Sequence, residues 1–155
     1  MSIESTVGVV VNEVPWDNPQ AAALRAALRI EIEALYGPDS EPGPPPSAAD
    51  IALFLVAYAD GLPVGCGALR PLEPGVAEIK RMYVVPQWRG RGVSGAVLSA
   101  LEAAAGRRGW TTLRLETGPE QTAAIRFYER SGYVLIPGFG PYADQPLSVC
   151  YQREL

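Results

Sequence analysis

Histidine is missing from all 155 residues. Its absence removes Ser-His-Asp and Cys-His nucleophilic mechanisms and histidine metal sites in one step, and we expect no metal. Cysteine is scarce: Cys66 and Cys150 form neither a CxxC pair nor a zinc-ligand spacing. Both sit in strand-like runs and read as buried free thiols, which suits a reducing cytoplasm. Long apolar runs are missing too. The longest, residues 51–59, is far short of a bilayer span, and the opening Met-Ser-Ile-Glu has no basic-then-apolar leader pattern. We therefore expect no membrane association. Lysine occurs once, at Lys80, and 13 basic residues face 17 acidic ones for a net charge of -4. Such a balance lacks the basic face that nucleic acid requires.

What is present fits a single domain over residues 1–155, long enough for its own core. Residues 6–14 are β-branched and strand-like. Pro15-Trp16-Asp17-Asn18-Pro19 ends them, and Asp17 or Asn18 can cap a following helix. Leu24, Leu28, Ile32 and Leu35 recur at four- and three-residue spacing, which predicts a core-packing amphipathic helix with Arg25, Arg29, Glu31 and Glu33 toward solvent. Residues 37–47 hold too much proline and glycine for helix or central strand and read as a long loop beside a substrate site. Strands at 51–58, 64–69 and 76–85, joined by Asp60-Gly61 and Glu73-Pro74-Gly75 turns, predict an antiparallel meander. A helix from residue 93 follows, with Val93, Val97, Ala100, Leu101 and Ala104 on its apolar face, then a strand at 111–117. Thr117-Gly118-Pro119-Glu120 resembles a capping box opening a helix over 120–130, and strands at 133–136 and 147–153 complete the chain. A strand–helix–strand crossover implies one parallel pair. The expected fold is α/β: a mixed, mostly antiparallel sheet flanked by helices.

Between the third strand of the meander and the next helix lies Gln87-Trp88-Arg89-Gly90-Arg91-Gly92-Val93-Ser94-Gly95. Without Cβ atoms the backbone approaches an anion closely, and the first N–H groups of the helix have no intrahelical partner. Arg89 and Arg91 add positive charge and fork-shaped donors suited to phosphate. The loop reads as the holder of a cofactor pyrophosphate. Lys80, Arg81, Arg89 and Arg91 fall within a dozen positions, a local basic patch for a small anion. Gly90-x-Gly92-x-x-Gly95 also fits the dinucleotide fingerprint of an oxidoreductase, with Glu116 near the place of a ribose-binding acid. Pro86 to Arg89, however, separates strand from first glycine, and only 60 residues follow Gly95.

Gln87-x-x-Gly90-x-Gly92 after a strand resembles the acetyl-CoA signature of the GNAT N-acetyltransferase superfamily. The strand Glu78 to Val84 before it, Leu115-Glu116 after it, and Ala124-Ile-Arg-Phe127-Tyr128 with Gly132-Tyr133 downstream extend the resemblance. It implies a central parallel strand pair at the acetyl-CoA site, acetyl-CoA as cosubstrate, a small-molecule or peptide amine as acceptor, and a homodimer. Backbone groups of Met82, Tyr83 and Val84 would pair with the pantetheine arm. Amides of Arg89, Gly90, Arg91, Gly92, Val93 and Ser94 would cradle the pyrophosphate. The helix at Ala124 would flank the thioester, and Gln121 stands where a cofactor-contacting Asn is common. Tyr128 would protonate the leaving thiolate, and Glu78 or Glu116 would serve as base or hold a water. A Cys66 acyl-enzyme is a less direct route, and a non-catalytic acyl-CoA-binding or sensor domain is the alternative. The first helix and the loops at 37–47 and 139–144 would choose the acceptor. Asp39, Glu41 and Asp144 are there either as solvated loop charge or as a lean toward a cationic acceptor.

Overall fold

The computed structural model describes residues 8–155. The opening tetrapeptide and the first two residues of the strand expected at 6–14 lie outside the described residues. Ten elements follow in order: β1 Val9–Val14, α1 Pro19–Tyr36, β2 Leu53–Ala59, β3 Leu62–Glu73, β4 Val76–Val84, α2 Val93–Arg107, β5 Thr112–Thr117, α3 Thr122–Arg130, β6 Val134–Ile136 and β7 Val149–Glu154. The strands form a seven-stranded sheet in the order β1-β2-β3-β4-β5-β7-β6. Every neighbouring pair is antiparallel except β4–β5. The expected meander and the parallel pair are both present. β7 inserts between β5 and β6, so the short β6 lies on the outer edge and pairs with β7 alone.

Period-two alternation on β2 explains how the sheet is covered on both faces. Leu53, Leu55 and Ala57 join a cluster with Val93, Val97, Leu98 and Leu101 of α2 and Tyr128 of α3. Phe54 and Val56 join the opposite cluster with Ala21 and Leu24 of α1, Cys66 and Tyr83. Each Val or Leu so buried contributes about 1.5–3 kcal/mol. Cys66 and Cys150 are free and buried, as expected. Cys66 is fully enclosed, its thiol donates to the Arg81 carbonyl at 3.2 Å, and burial pushes it up to about 12. An acyl-enzyme at that sulfur has neither access nor a thiolate.

Two irregularities shape the site. Cys66 pairs with Tyr83 and Ala68 with Lys80, so Gly67 opposes both Arg81 and Met82. The extra residue is a β-bulge, and Arg81 takes a left-handed φ of 60° there. A Cβ on Gly67 would meet Met82 Sδ at 2.7 Å and Val97 Cγ1 at 2.9 Å. Glycine at that position lets the bulge and α2 close on each other. The second irregularity is that β4 and β5 pair only from Val76–Thr112 to Glu78–Arg114, then diverge.

Three local expectations need correction. The helix expected over 120–130 begins at Thr122, and no capping box forms there. The Gln121 Oε1 instead accepts from Thr117 Oγ1 and the Gly118 N–H, both at 3.0 Å, and so closes the turn out of β5. On α1, Asn18 caps the N–H groups of Gln20 and Ala21 as expected. Only the face up to Leu28 packs against the core, however, with Leu28 also at the edge of an open cleft that Ile32 and Leu35 line. Nor is Arg25 turned to solvent: its guanidinium lies 3.7 Å over the Trp16 ring and donates to the Trp16 carbonyl at 2.6 Å. No described helix is long and apolar enough to cross a membrane.

Candidate active site

The parting of β4 from β5 opens a cleft of about 1570 Å³. Its walls are the C-terminal half of α1, the segment from Asp39 to Pro45, the far end of β4, the N-terminus of α2, β5 and the start of α3. Gly92 is the N-cap of α2 at φ 85°, with no side-chain cap and no acidic residue in the first turn. The first helical N–H groups are thus left for an incoming anion, where the helix dipole also favours negative charge.

Of the residues expected at the site, Met82, Tyr83, Val84, Arg89, Gly90, Gly92, Val93, Ser94, Glu116, Gln121, Ala124 and Tyr128 line this cleft; Glu78 and Arg91 do not. Glu78 is 1% exposed. Its carboxylate takes Arg70 on one oxygen at 3.0 Å and the Tyr142 hydroxyl on the other at 2.6 Å, with Lys80 Nζ at 3.7 Å. The Glu78 carboxylate is thus held on both oxygens and lies outside the cleft lining. Arg91 lies 4.8 Å over the Trp88 ring, and Trp88 packs against the core at the mouth of the glycine loop. The Arg89 side chain is turned back. Its Nε donates to the Val84 carbonyl at 2.9 Å and its NH2 meets Glu31 of α1 at 2.7 Å. One carbonyl of the expected pantetheine edge is therefore already occupied.

Glu116 faces the cleft with a single hydrogen bond among the described residues, from Ser148 Oγ at 2.9 Å. Burial raises its carboxyl above the ordinary range; Ser148 and the charge of Lys80 oppose the rise, while Glu41 and Glu78 add to it. A carboxyl so poised gives up and takes a proton nearer neutrality than a solvated one. Tyr128 also lines the cleft and is 5% exposed, and its hydroxyl bonds to no other described residue. Burial pushes the phenol up, which keeps it protonated as a donor.

Several residues at the cleft carry no motif. Lys80 Nζ sits 2.9 Å from both Glu41 Oε2 and the Tyr142 hydroxyl. Arg81 grips the same Glu41 with two nitrogens, at 2.9 and 3.0 Å. Burial works to raise the Glu41 carboxyl, but the bonds from Arg81 and the charges of Lys80 and Arg81 outweigh it and pull it to about 2. Glu41 is thus neither solvated loop charge nor a free anion awaiting a cation. Tyr36, at the end of α1, accepts from the Glu120 N–H at 3.0 Å and ties α1 to the loop that opens α3. The basic pair at 80 and 81 is visible in the sequence; their partner, 39 and 40 residues away, has no signal there.

The comparisons with known proteins agree with this architecture. The model of the Acetyltransferase (GNAT) family matches residues 24–133. The "IAA acetyltransferase" of Azospirillum brasilense is 40% identical over 103 residues, 66% of this chain and 67% of that protein. Five further curated relatives are covered over 38–71% of their length. A solved structure from Klebsiella pneumoniae, described as an acyl-CoA N-acyltransferase, is 38% identical with a TM-score of 0.81, covering 95% of this chain and 97% of that one. A GNAT acetyltransferase of Elizabethkingia anophelis, solved with acetyl-CoA bound, shares the fold at 16% identity, with a TM-score of 0.72 and coverage of 96% and 99%. A mostly antiparallel sheet and these likenesses do not favour the dinucleotide reading of Gly90-x-Gly92-x-x-Gly95. The chain belongs to the acetyltransferase (GNAT) family and is an acyltransferase by enzyme class.

Proposed function

We propose that this protein moves the acetyl group of acetyl-CoA to a primary amine by direct attack in a ternary complex. One observation carries the reading: Glu116 and Tyr128 face the same cleft, which opens where β4 leaves β5 and runs to the bare N-terminus of α2. The pyrophosphate fits at Gly92–Ser94, and the pantetheine arm fits the unpaired edge of β4 beyond Glu78. Acetyl-CoA bound to a structural relative supports that choice of donor.

Glu116, directly or through a water, takes the proton that the acceptor nitrogen loses as it attacks the thioester carbonyl. The N–C bond forms, the carbonyl becomes an oxyanion, and its collapse breaks the C–S bond. Tyr128 gives its proton to the departing thiolate, and the products are the acetamide and CoA. Glu78 holds Arg70, Lys80 and Tyr142 in place behind the cleft and takes no proton.

Isothermal titration with acetyl-CoA, CoA and NADH tests the donor, and thiol release in the presence of amines tests the transfer. Acetyl-CoA and CoA are expected to bind and NADH to give no heat. Binding without thiol release for any amine would favour a non-catalytic acyl-CoA sensor, and NADH binding without CoA binding would overturn the reading.

A further inference from the structure

A carboxylate held by two cations inside a substrate cleft is a copy of a carboxylate-binding subsite. In this chain the copy is supplied by a strap. Between α1 and the turn at Ser47–Asp50, residues 38–46 carry Pro38, Pro42, Pro44, Pro45 and Pro46, which have no N–H to donate. No backbone hydrogen bond ties residues 38–46 to any other described residue. Among the described residues their side-chain hydrogen bonds are all accepted by Glu41, from Lys80 and Arg81. The strap is anchored at both ends, by the α1 cap at Gly37 and by the Ser47–Asp50 turn, and is latched in its middle by one carboxylate.

The receiving side is the rigid part. Arg81 is fixed on the β-bulge at φ 60°, a left-handed conformation that is unfavourable for a non-glycine residue and persists where the surrounding structure enforces it. Among the described residues Glu41 is the one hydrogen-bonding and ion-pair partner of its guanidinium. Lys80 is 7% exposed and keeps Tyr142 and Glu78 as partners when Glu41 is removed. The two cations line the same cleft as Glu116, and the charge of Lys80 reaches Glu116.

We propose that Lys80 and Arg81 form the subsite for a carboxylate of the acceptor, and that Glu41 is the intramolecular group this carboxylate displaces. The acceptor class is then an amine that also bears a carboxylate, an amino acid or a longer amino carboxylate. Its acid group lies on Arg81 and Lys80 and its amine is presented to Glu116. The proposal rests on the acetyltransferase reading and names the acceptor of that same cleft. A polyamine or other purely cationic acceptor has no group to displace Glu41 and would meet the positive charges of Lys80 and Arg81 wherever the strap is unlatched.

Thiol release from acetyl-CoA is measured with pairs that differ only in the carboxylate: phenylalanine against phenethylamine, and 4-aminobutyrate against propylamine. The carboxylate member of at least one pair is expected to have a kcat/KM about tenfold higher. Arg81→Gln should erase that preference, with Arg81→Lys as the second variant should the first fail to melt cooperatively. Glu41→Gln, which removes the competitor, should lower the KM for the amino carboxylate about fivefold. Plain amines used as well as or better than their carboxylate partners, or a higher amino-carboxylate KM in Glu41→Gln, would overturn the proposal. If neither pair turns over, titration of Glu41→Gln with phenylalanine and 4-aminobutyrate decides. Binding that Arg81→Gln abolishes supports the subsite, and no binding overturns it. Acetyl-CoA is titrated into every variant, so failure of the donor site is told apart from failure of the carboxylate subsite.

Discussion

On the wall of the cleft proposed for the donor, the groups offered to a ligand belong to the backbone: the N–H groups at Gly92–Ser94 and the edge of β4 beyond its pairing with β5. On the acceptor wall they are side chains from distant points of the chain, with Glu41 meeting Lys80 and Arg81, and Tyr142 meeting Lys80 and Glu78. A backbone site needs little more than glycines at the right spacing after a strand, and a contiguous stretch of sequence displays that. A side-chain network needs the tertiary fold to bring its members together. The donor wall is thereby suited to one fixed ligand, whereas the acceptor wall can be rewritten by single substitutions. The two glutamates on β4 and β5 show the same contrast: Glu78 is locked on both oxygens, while Glu116 keeps one bond and faces the cleft.

Glu116→Gln should give the largest effect, a loss in kcat of about 100- to 1,000-fold. Burial raises the Glu116 carboxyl, and the proposed base is its carboxylate form, so wild-type kcat/KM should climb with pH through a midpoint above the ordinary carboxylate range. The variant should lose that limb. A pH–rate profile of Glu116→Gln that retains the limb would break the assignment. Tyr128→Phe should cost about 10- to 100-fold in kcat with little change in the KM for acetyl-CoA, since its hydroxyl lines the cleft and bonds to no other described residue. An unchanged rate across the pH range would remove its role as acid.

Glu78→Gln sharpens the comparison from the other side. Removing one charge of a buried cluster leaves Arg70 and Lys80 less compensated, and a loss of about 2 kcal/mol in stability is expected, read as a lower denaturation midpoint. The cost falls on folding, and kcat/KM of the folded fraction should change far less than in Glu116→Gln. A fall in rate as deep as that of Glu116→Gln, at unchanged stability, would return the base to Glu78. Glu41 supplies a smaller, pH-dependent contribution. Its carboxyl is pulled down to about 2, so the latch stabilises fully above the unfolded value near 4.5 and is lost as pH falls toward 2. The difference in melting temperature between wild type and Glu41→Gln should therefore shrink between those values and stay constant above them.

The same contrast explains which parts of the site were legible. The strand order of the meander, the parallel crossover and the cap at Asn18 follow from periodicity and turn chemistry, which act over a few residues. The role of Gln121 was not visible, because a capping box and a turn-closing amide use the same residue types and only the path of the chain out of Thr117 selects between them. Burial of Glu78 was not visible either, since alternation on β4 says which face a residue is on but not that Tyr142 and Arg70 close over it. Ile32 and Leu35 continue the period of the core face set by Leu24 and Leu28, yet they line the cleft rather than the core.

The arginines of the glycine loop give the smallest expected effect and test the donor wall most finely. Their sequence position suggests a fork on phosphate, which would cost tenfold or more in the KM for acetyl-CoA when removed. The structure ties Arg89 to Glu31 and to the Val84 carbonyl, and stacks Arg91 on Trp88 outside the cleft. The Arg89–Glu31 pair is exposed, with side chains 45% and 39% accessible, and such pairs contribute about 0–1 kcal/mol. Arg89→Ala also frees the Val84 carbonyl, an acceptor on the edge where the pantetheine arm is expected to lie. The lost charge and the regained acceptor oppose each other, so the KM for acetyl-CoA in Arg89→Ala should move by less than about threefold and should depend on salt. Arg91→Ala removes a charge outside the cleft and its stacking on Trp88 and should do less. Measured at low and at physiological ionic strength, a tenfold rise in either variant would show that the guanidinium swings onto the phosphate when the ligand arrives, and the donor wall would then share the side-chain chemistry of the wall opposite.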